Sequence, residues 1–329
     1  MLKFETLVDG IFLVKSDDTS MQGCQGILVK NVADSGNILI DCNFPKHDLT
    51  RLLGDLNGNV RAYFATHAHL DHVNNLHLLE KIQPGIDIYC PTPENEYLLD
   101  ISKFTDDNGA KDFGVAEQMQ NIFHDFMKFK ELNHVEGFDP GSTFTFGGIV
   151  LKTIHLPGHS PGHVAFVIEN MLEPQRKILF ATDIGLDKFG PWYGFKYNSI
   201  KAIQQDIETV EALYMSDDFI LTSGHGEIYF EKQPAVFQAI LAKIEEKENR
   251  LLAMLDATAP KGLEDLALHG LIYRQKTLEK YSKLFPDALK LWYFWEAHFI
   301  LNLVQDLLDK GKIKEIGTQT WVLDGGFNQ

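Results

Sequence analysis

The chain opens with short apolar runs broken by Gly, Asp and Asn. Residues 4–8, 11–15, 25–30 and 37–41 are rich in Phe, Leu, Val and Ile and read as β-strands. A helix is expected over 45–54, then the apolar strand Val60–Thr66, a His-rich turn and a second helix near 74–82. Ile86–Tyr89 reads as a strand. The stretch 94–130 reads as mostly helical, because Met119, Ile122, Phe123 and Phe126 follow a helical period. Strands return at 143–146, 149–155, 164–168, 177–181 and 219–222, with a helix at about 199–214 before the last. Strand-rich blocks interleaved with helices predict an α/β sandwich, with sheets inside and helices outside. From Gln233–Pro234 the pattern turns almost wholly helical: 234–256, 263–269, 275–284 and 287–310, closed by a short strand near 319–323. The expected division is therefore a catalytic domain over 1–230 and a helical domain over 231–329.

Charge separates the same two parts. The 329 residues carry 30 Lys and Arg against 46 Asp and Glu, a net −16. Of these, 17 basic and 32 acidic residues lie in 1–230, and 13 and 14 in 231–329. So acidic a first domain repels phosphate backbones and offers none of the counterion release that nucleic-acid affinity needs. No nucleic-acid partner is expected. Trp295–Asp309 holds no Lys or Arg, whereas Phe299, Ile300, Leu303, Val304 and Leu307 form an apolar stripe. Such a helix packs on protein, either the first domain or a second subunit of a homodimer. Lys310, Lys312 and Lys314 suit a helix C-terminus. No apolar run approaches the ~20 residues of a membrane span, so no membrane partner is expected. The start Met-Leu-Lys-Phe-Glu-Thr is unlike a signal peptide. Cys24, Cys42 and Cys90 are too few and scattered for a disulfide framework or a Cys-rich zinc site. Free buried thiols in a cytoplasmic protein are the expectation.

The candidate chemistry is concentrated at strand ends. Thr66-His67-Ala68-His69-Leu70-Asp71-His72 follows an apolar strand with four metal-ligand side chains in six residues. Imidazole nitrogen and carboxylate oxygen bind Zn²⁺ or Fe²⁺ at ~2.0–2.2 Å. Ile149–His155 runs into Leu156-Pro157-Gly158-His159-Ser160-Pro161-Gly162-His163; Lys177–Thr182 ends at Asp183; Phe219–Ser223 leads through Gly224 to His225. Four strands thus each deliver a ligand type at the carboxyl edge, where open α/β sheets place their sites. The phenylalanines of 102–140 (Phe104, Phe113, Phe123, Phe126, Phe129, Phe138) suit a helical core more than a cap over the site.

His-x-His-x-Asp-His, the Pro-Gly-His-x-x-Gly-His loop, the strand-end Asp183 and the later Gly224-His225 together resemble the metallo-β-lactamase superfamily over about residues 5–228. The resemblance implies an αββα sandwich with two divalent transition-metal ions, zinc above iron or manganese. His67, His69 and His159 would hold one ion, Asp71, His72 and His225 the other, and Asp183 would bridge. The implied activity is hydrolysis of a small ester, thioester or lactone by a metal-bridging hydroxide. Asp71 would orient the nucleophile and carry a proton to the leaving group, with His155 and His163 in support. Tyr193 is a candidate oxyanion donor, or else an aromatic wall beside Trp192.

The bridging Asp183 disfavours dinuclear β-lactamases, and His69 disfavours flavodiiron proteins, which carry Glu there. Gly190-Pro191-Trp192-Tyr193-Gly194 stands where glyoxalase II enzymes have a basic, Cys-containing loop for glutathione. Competing expectations are a single-iron enzyme of the persulfide dioxygenase kind and a metal-dependent nuclease or nucleic-acid-binding protein. The segment Trp295–Leu323 resembles the third helix and β-wing of winged-helix domains appended to some hydrolases of this superfamily.

Overall fold

The computed structural model describes residues 1–17, 24–32, 36–172, 176–273, 283 and 287–324, with the side chains of 31 and 32 excepted. Seven strands form the first sheet in sequence order: β1 (Leu2–Val8), β2 (Ile11–Ser16), β3 (Gly26–Val32), β4 (Gly36–Ile40), β5 (Val60–Phe64), β6 (Asp87–Pro91) and β7 (Glu136–Phe138). β1 to β4 pair antiparallel and β4 to β7 parallel. β4 and β5 are joined across α1 (Lys46–Asp55), and β5 and β6 across α2 (Leu70–Val73) with α3 (Leu76–Ile82). The second sheet runs β12 (Phe219–Thr222), β11 (Lys177–Phe180), β10 (Val164–Asn170), β9 (Ile149–His155), β8 (Thr143–Phe146). Its one parallel pair, β11 with β12, is joined across α6 (Ile200–Ser216).

Side-chain alternation along the strands builds four layers. On β5, Ala62 and Phe64 face the other sheet while Tyr63 faces the helices; on β10, Phe166 and Ile168 face inward while Ala165 and Val167 face α6. Between the sheets, Phe64 packs edge-on to Phe144, Phe138 and Phe166. Leu49, Leu52 and Leu79 cover the outer face of the first sheet. This is the expected αββα sandwich, a mixed α/β fold with a helical C-terminal region.

The segment expected to be mostly helical is less regular than its composition suggests. It contains a 3₁₀ turn at Asn95–Leu98, α4 (Ile101–Asp107), α5 (Ala116–Asn121) and a π turn at Ile122–Phe126. The wider π turn breaks the helical register. Met119 and Phe123 are buried, yet Phe126 is 43% exposed. The helix expected near 74–82 is two short ones, α2 and α3, and β7 has no counterpart among the expected strands.

After residue 230 come α7 (Ala235–Leu252), α8 (Leu263–Leu268), α9 (Ala288–Asp309) and a small sheet of β13 (Lys261–Gly262), β15 (Thr320–Leu323) and β14 (Ile313–Gly317). The β14–β15 hairpin stands where the wing was expected. The helix expected at 275–284 lies almost entirely outside the described residues. Phe237, Ile240, Phe299, Leu303, Leu307 and Trp321 join one continuous core with Ile203, Ile207 and Tyr214 of α6. The apolar stripe of α9 is therefore spent on the chain's own sandwich. No helix among the described residues is long and apolar enough to cross a membrane. All three cysteines are buried and free.

Candidate metal centre

β5, β9, β11 and β12 deliver their next residues to one edge of the sandwich. There the structure gathers all seven sequence-predicted ligands into two adjoining groups: His67, His69 and His159, and Asp71, His72, Asp183 and His225. His159 Nε2 lies 3.2 Å from His67 Nε2 and 2.9 Å from His69 Nδ1. Donor atoms ~2.0–2.1 Å from a tetrahedral ion stand roughly 3.3–3.4 Å apart, so this trio is close to what zinc requires. In the second group His72 Nε2 is 3.5 Å from Asp71 and 3.3 Å from Asp183, while His225 Nε2 is 2.9 Å from Asp71.

Asp183 joins the two groups. Its Oδ2 lies 3.3 Å from His72, 3.5 Å from His159, 3.7 Å from His225 and 3.9 Å from His67. Its Oδ1 is buried without a hydrogen-bond partner, an arrangement that is costly unless a cation is held there. Gly224 is needed beside it, because a Cβ there would lie 2.8 Å from Asp183 Oδ1 and 3.2 Å from His72. The donor set and its spacing fit a pair of divalent cations.

The outer ring nitrogens are engaged in ways that leave the inner ones free to donate a lone pair. His72 Nδ1 donates to Asp41 Oδ2 at 2.8 Å. Thr66 Oγ1 donates to the same oxygen at 2.6 Å, and so accepts from His67 Nδ1 at 3.0 Å. His159 Nδ1 donates to the Trp192 carbonyl at 3.2 Å, and His69 Nε2 meets the Tyr197 hydroxyl at 2.9 Å. Asp41 serves two of these histidines from a left-handed backbone (φ 51°) at the end of β4. Strain of that kind at a fully buried residue is retained where position matters.

The electrostatics agree. Burial, reinforced by neighbouring imidazoles, holds His67 and His69 well below the usual histidine range, and burial also lowers His159. All three are neutral donors. Burial works against charge at His72 and His225 as well, but the Cys24 sulfur with Asp41, Asp71 and Asp183 raises His72, and Asp183 with Asp71 raises His225 to about 9. Those protons occupy positions that a metal ion would take over. Asp71 and Asp183 are pulled well below the carboxylate range by the same pairing, against the opposing effect of burial. Asp71 and His225, and to a lesser degree Asp183, are partly exposed whereas the first group is buried, so the second group forms the solvent side.

His163 ties two ligand loops together. Its Nδ1 donates to Leu156 O at 3.0 Å, and its Nε2 accepts the Asp183 N–H at 3.2 Å and the Thr182 hydroxyl. Burial lowers it to about 3, so it stays neutral. His155 is exposed and bonds Pro161 O. Tyr193 is not brought to the centre. Its ring is fully buried 4.6 Å from Phe299 and 5.2 Å below the Lys247 ammonium, with no hydrogen-bond partner for its hydroxyl. Backbone direction in this extended loop turns Tyr193 toward the C-terminal helices, and the oxyanion role falls away. Trp192, 5.7 Å from His69, is the aromatic wall.

Sequence reasoning missed Asp41, Glu94 and Tyr197. Only the strand-end position of Asp41, matching that of the ligands, offered a signal.

A family model for the metallo-beta-lactamase superfamily matches residues 23–230. Hydroxyacylglutathione hydrolase GloC of Haemophilus influenzae is 25% identical over 195 residues, covering 57% of this chain and 79% of that protein. The probable polyketide biosynthesis zinc-dependent hydrolase BaeB of Bacillus velezensis is 25% identical over 135 residues, 41% of this chain and 46% of that protein. A crystal structure of a metallo-beta-lactamase family protein from Thermus thermophilus superposes with a TM-score of 0.69 at 18% identity. That superposition covers 97% of this chain and 100% of the other, C-terminal region included. With the motif, the sandwich and these matches in agreement, the chain belongs to the metallo-beta-lactamase superfamily, as a hydrolase of that fold.

Proposed function

We propose that this protein hydrolyses a small ester, thioester or lactone at a centre of two divalent cations, zinc above iron or manganese. The observation that carries the proposal is the position of Asp183 Oδ2, within 3.9 Å of imidazole nitrogens from both donor groups. On this reading His67 Nε2, His69 Nδ1 and His159 Nε2 hold one cation. Asp71 and the Nε2 atoms of His72 and His225 hold the other, and Asp183 bridges. When bound, the pair would lower the pKa of water toward ~7 and polarise the carbonyl under attack. Asp71, ionised and partly exposed, orients the water through an Oδ atom and receives a proton there for the leaving group. Asp41, Thr66, Tyr197 and the Trp192 carbonyl keep the histidines in the required tautomers.

The acyl-transfer class is supported by the relative named hydroxyacylglutathione hydrolase, and zinc by the relative named zinc-dependent hydrolase. Glutathione is not part of the proposal, because the Gly190–Gly194 loop is aromatic rather than basic. The partner proposed is a small molecule, not nucleic acid, given the charge of residues 1–230.

Metal analysis combined with a panel of thioesters, esters, lactones and phosphodiesters tests this reading. Close to two ions per chain and chelator-sensitive acyl hydrolysis are expected, with Asp71→Asn costing several orders of magnitude. One iron per chain with oxygen uptake, or full activity after chelation, would overturn it.

A further inference from the structure

Between Asp183 and α6 the chain runs through residues 187–198 with no helix or strand of its own. An irregular segment of this kind must still satisfy its carbonyls. Here alternate carbonyls all turn to side chains from beyond residue 230. Lys243 Nζ donates to Asp187 O; Lys247 Nζ donates to Phe189 O at 3.0 Å and Pro191 O at 3.3 Å. Asn302 Nδ2 donates to Tyr193 O at 2.8 Å and Phe195 O at 3.0 Å. One carbonyl of opposite parity, Trp192 O, accepts from His159 Nδ1 instead. The segment behaves like an edge strand whose neighbour is a row of side chains.

Packing follows the same two-sided pattern. Trp192 and Phe195 stand edge-on to His69 at 5.7 and 5.4 Å, and are backed by Phe299 and Phe294 of α9 at 5.6 and 6.1 Å. Gly194 has no side chain because a Cβ would sit 2.7 Å from Trp192 and 2.9 Å from Phe299. Beyond Phe195, Tyr197 reaches His69 Nε2.

We infer that the region after residue 230 positions His69 and His159 for metal binding, with Lys247 and Asn302 acting through this row of carbonyl hydrogen bonds. Neither side chain touches the centre. Each fixes the loop that supplies the outer partners of the two histidines. Groups that orient metal-ligating histidines typically contribute 10–100-fold in affinity. The inference rests on the proposed reading of the metal site.

The test uses Co(II) alone as probe, on the full chain stripped of metal. Asn302→Leu, Asn302→Asp and Lys247→Met should weaken Co(II) binding by ~10-fold or more and change its visible absorption, while far-UV circular dichroism is retained. Ile313→Ala, a core truncation that removes none of these hydrogen bonds, should lower the melting temperature and leave Co(II) affinity and spectrum as in the parent. Parental Co(II) affinity and spectrum in the Asn302 and Lys247 variants would overturn the inference. So would an equal loss in Ile313→Ala, which would mark a general effect of destabilisation. A parent protein that takes up no Co(II) would instead overturn the reading of the site, and the inference with it.

Discussion

Glu94 accepts the backbone N–H of Ala68 at 2.7 Å from a position 26 residues further along the chain. Its other oxygen accepts the N–H of Gly162 at 2.6 Å, so one buried carboxylate fastens the His67–His69 turn to the His159–His163 loop. Burial raises its pKa, and the two N–H groups oppose that rise. Glu94→Ala would leave two buried donors without acceptors, a cost of about 2–5 kcal/mol. Thermal unfolding should fall by roughly 5–15 °C, with Glu94→Gln in between. A melting temperature within about a degree of the parent would show that the link contributes little.

Asp183→Ala should take at least one metal ion from the chain, measured by elemental analysis after gel filtration. The carboxylate that faces both groups is also the one that reduces repulsion between neighbouring cations. An unchanged metal count in the variant would dispose of the bridged arrangement.

Asp206 makes stability depend on pH. Its carboxyl accepts the Gly158 N–H at 2.7 Å, and burial pushes its pKa up to about 7. A free Asp loses its proton around pH 4, so between about 4 and 7 the folded chain keeps a proton that the unfolded chain gives up. Stability contributed by this group therefore falls as pH rises through that window. Asp206→Asn removes the dependence while its amide oxygen can still accept from Gly158. The variant's advantage in unfolding free energy should be larger at pH 8 than at pH 5, on the order of 1–3 kcal/mol at the upper end. An advantage independent of pH, or none, would count against this account.

Truncation after residue 230 should give an insoluble or aggregating product. It would uncover Ile203, Ile207 and Tyr214 of α6 and remove the donors to the 187–195 carbonyls. A truncated chain that is soluble and monomeric in analytical ultracentrifugation would contradict this.

The candidate ligands could be read in the sequence because each lies within a few residues of the end of an apolar strand, so strand period and ligand chemistry are close together in the chain. Their supports could not. Glu94 works across 26 and 68 residues and Asp41 across 25 and 31, separations that no local pattern encodes. Tyr193 was misplaced for a related reason. In an extended loop a neighbour such as Trp192 faces the opposite side, and only tertiary packing decides which ring meets His69 and which lies under Lys247. The helical reading of 94–130 fails partly at a π turn, which composition does not announce.

The seven candidate ligands are divided between the sheets: His67, His69, Asp71 and His72 follow a strand of one, and His159, Asp183 and His225 follow strands of the other. On the proposed reading each cation draws from both sheets, and so acts as a rivet through the sandwich. Its binding free energy is then also free energy of holding the halves together, and apparent stability rises with free metal by mass action. Scarcity of metal would thus shorten the lifetime of the folded chain as well as silence its chemistry.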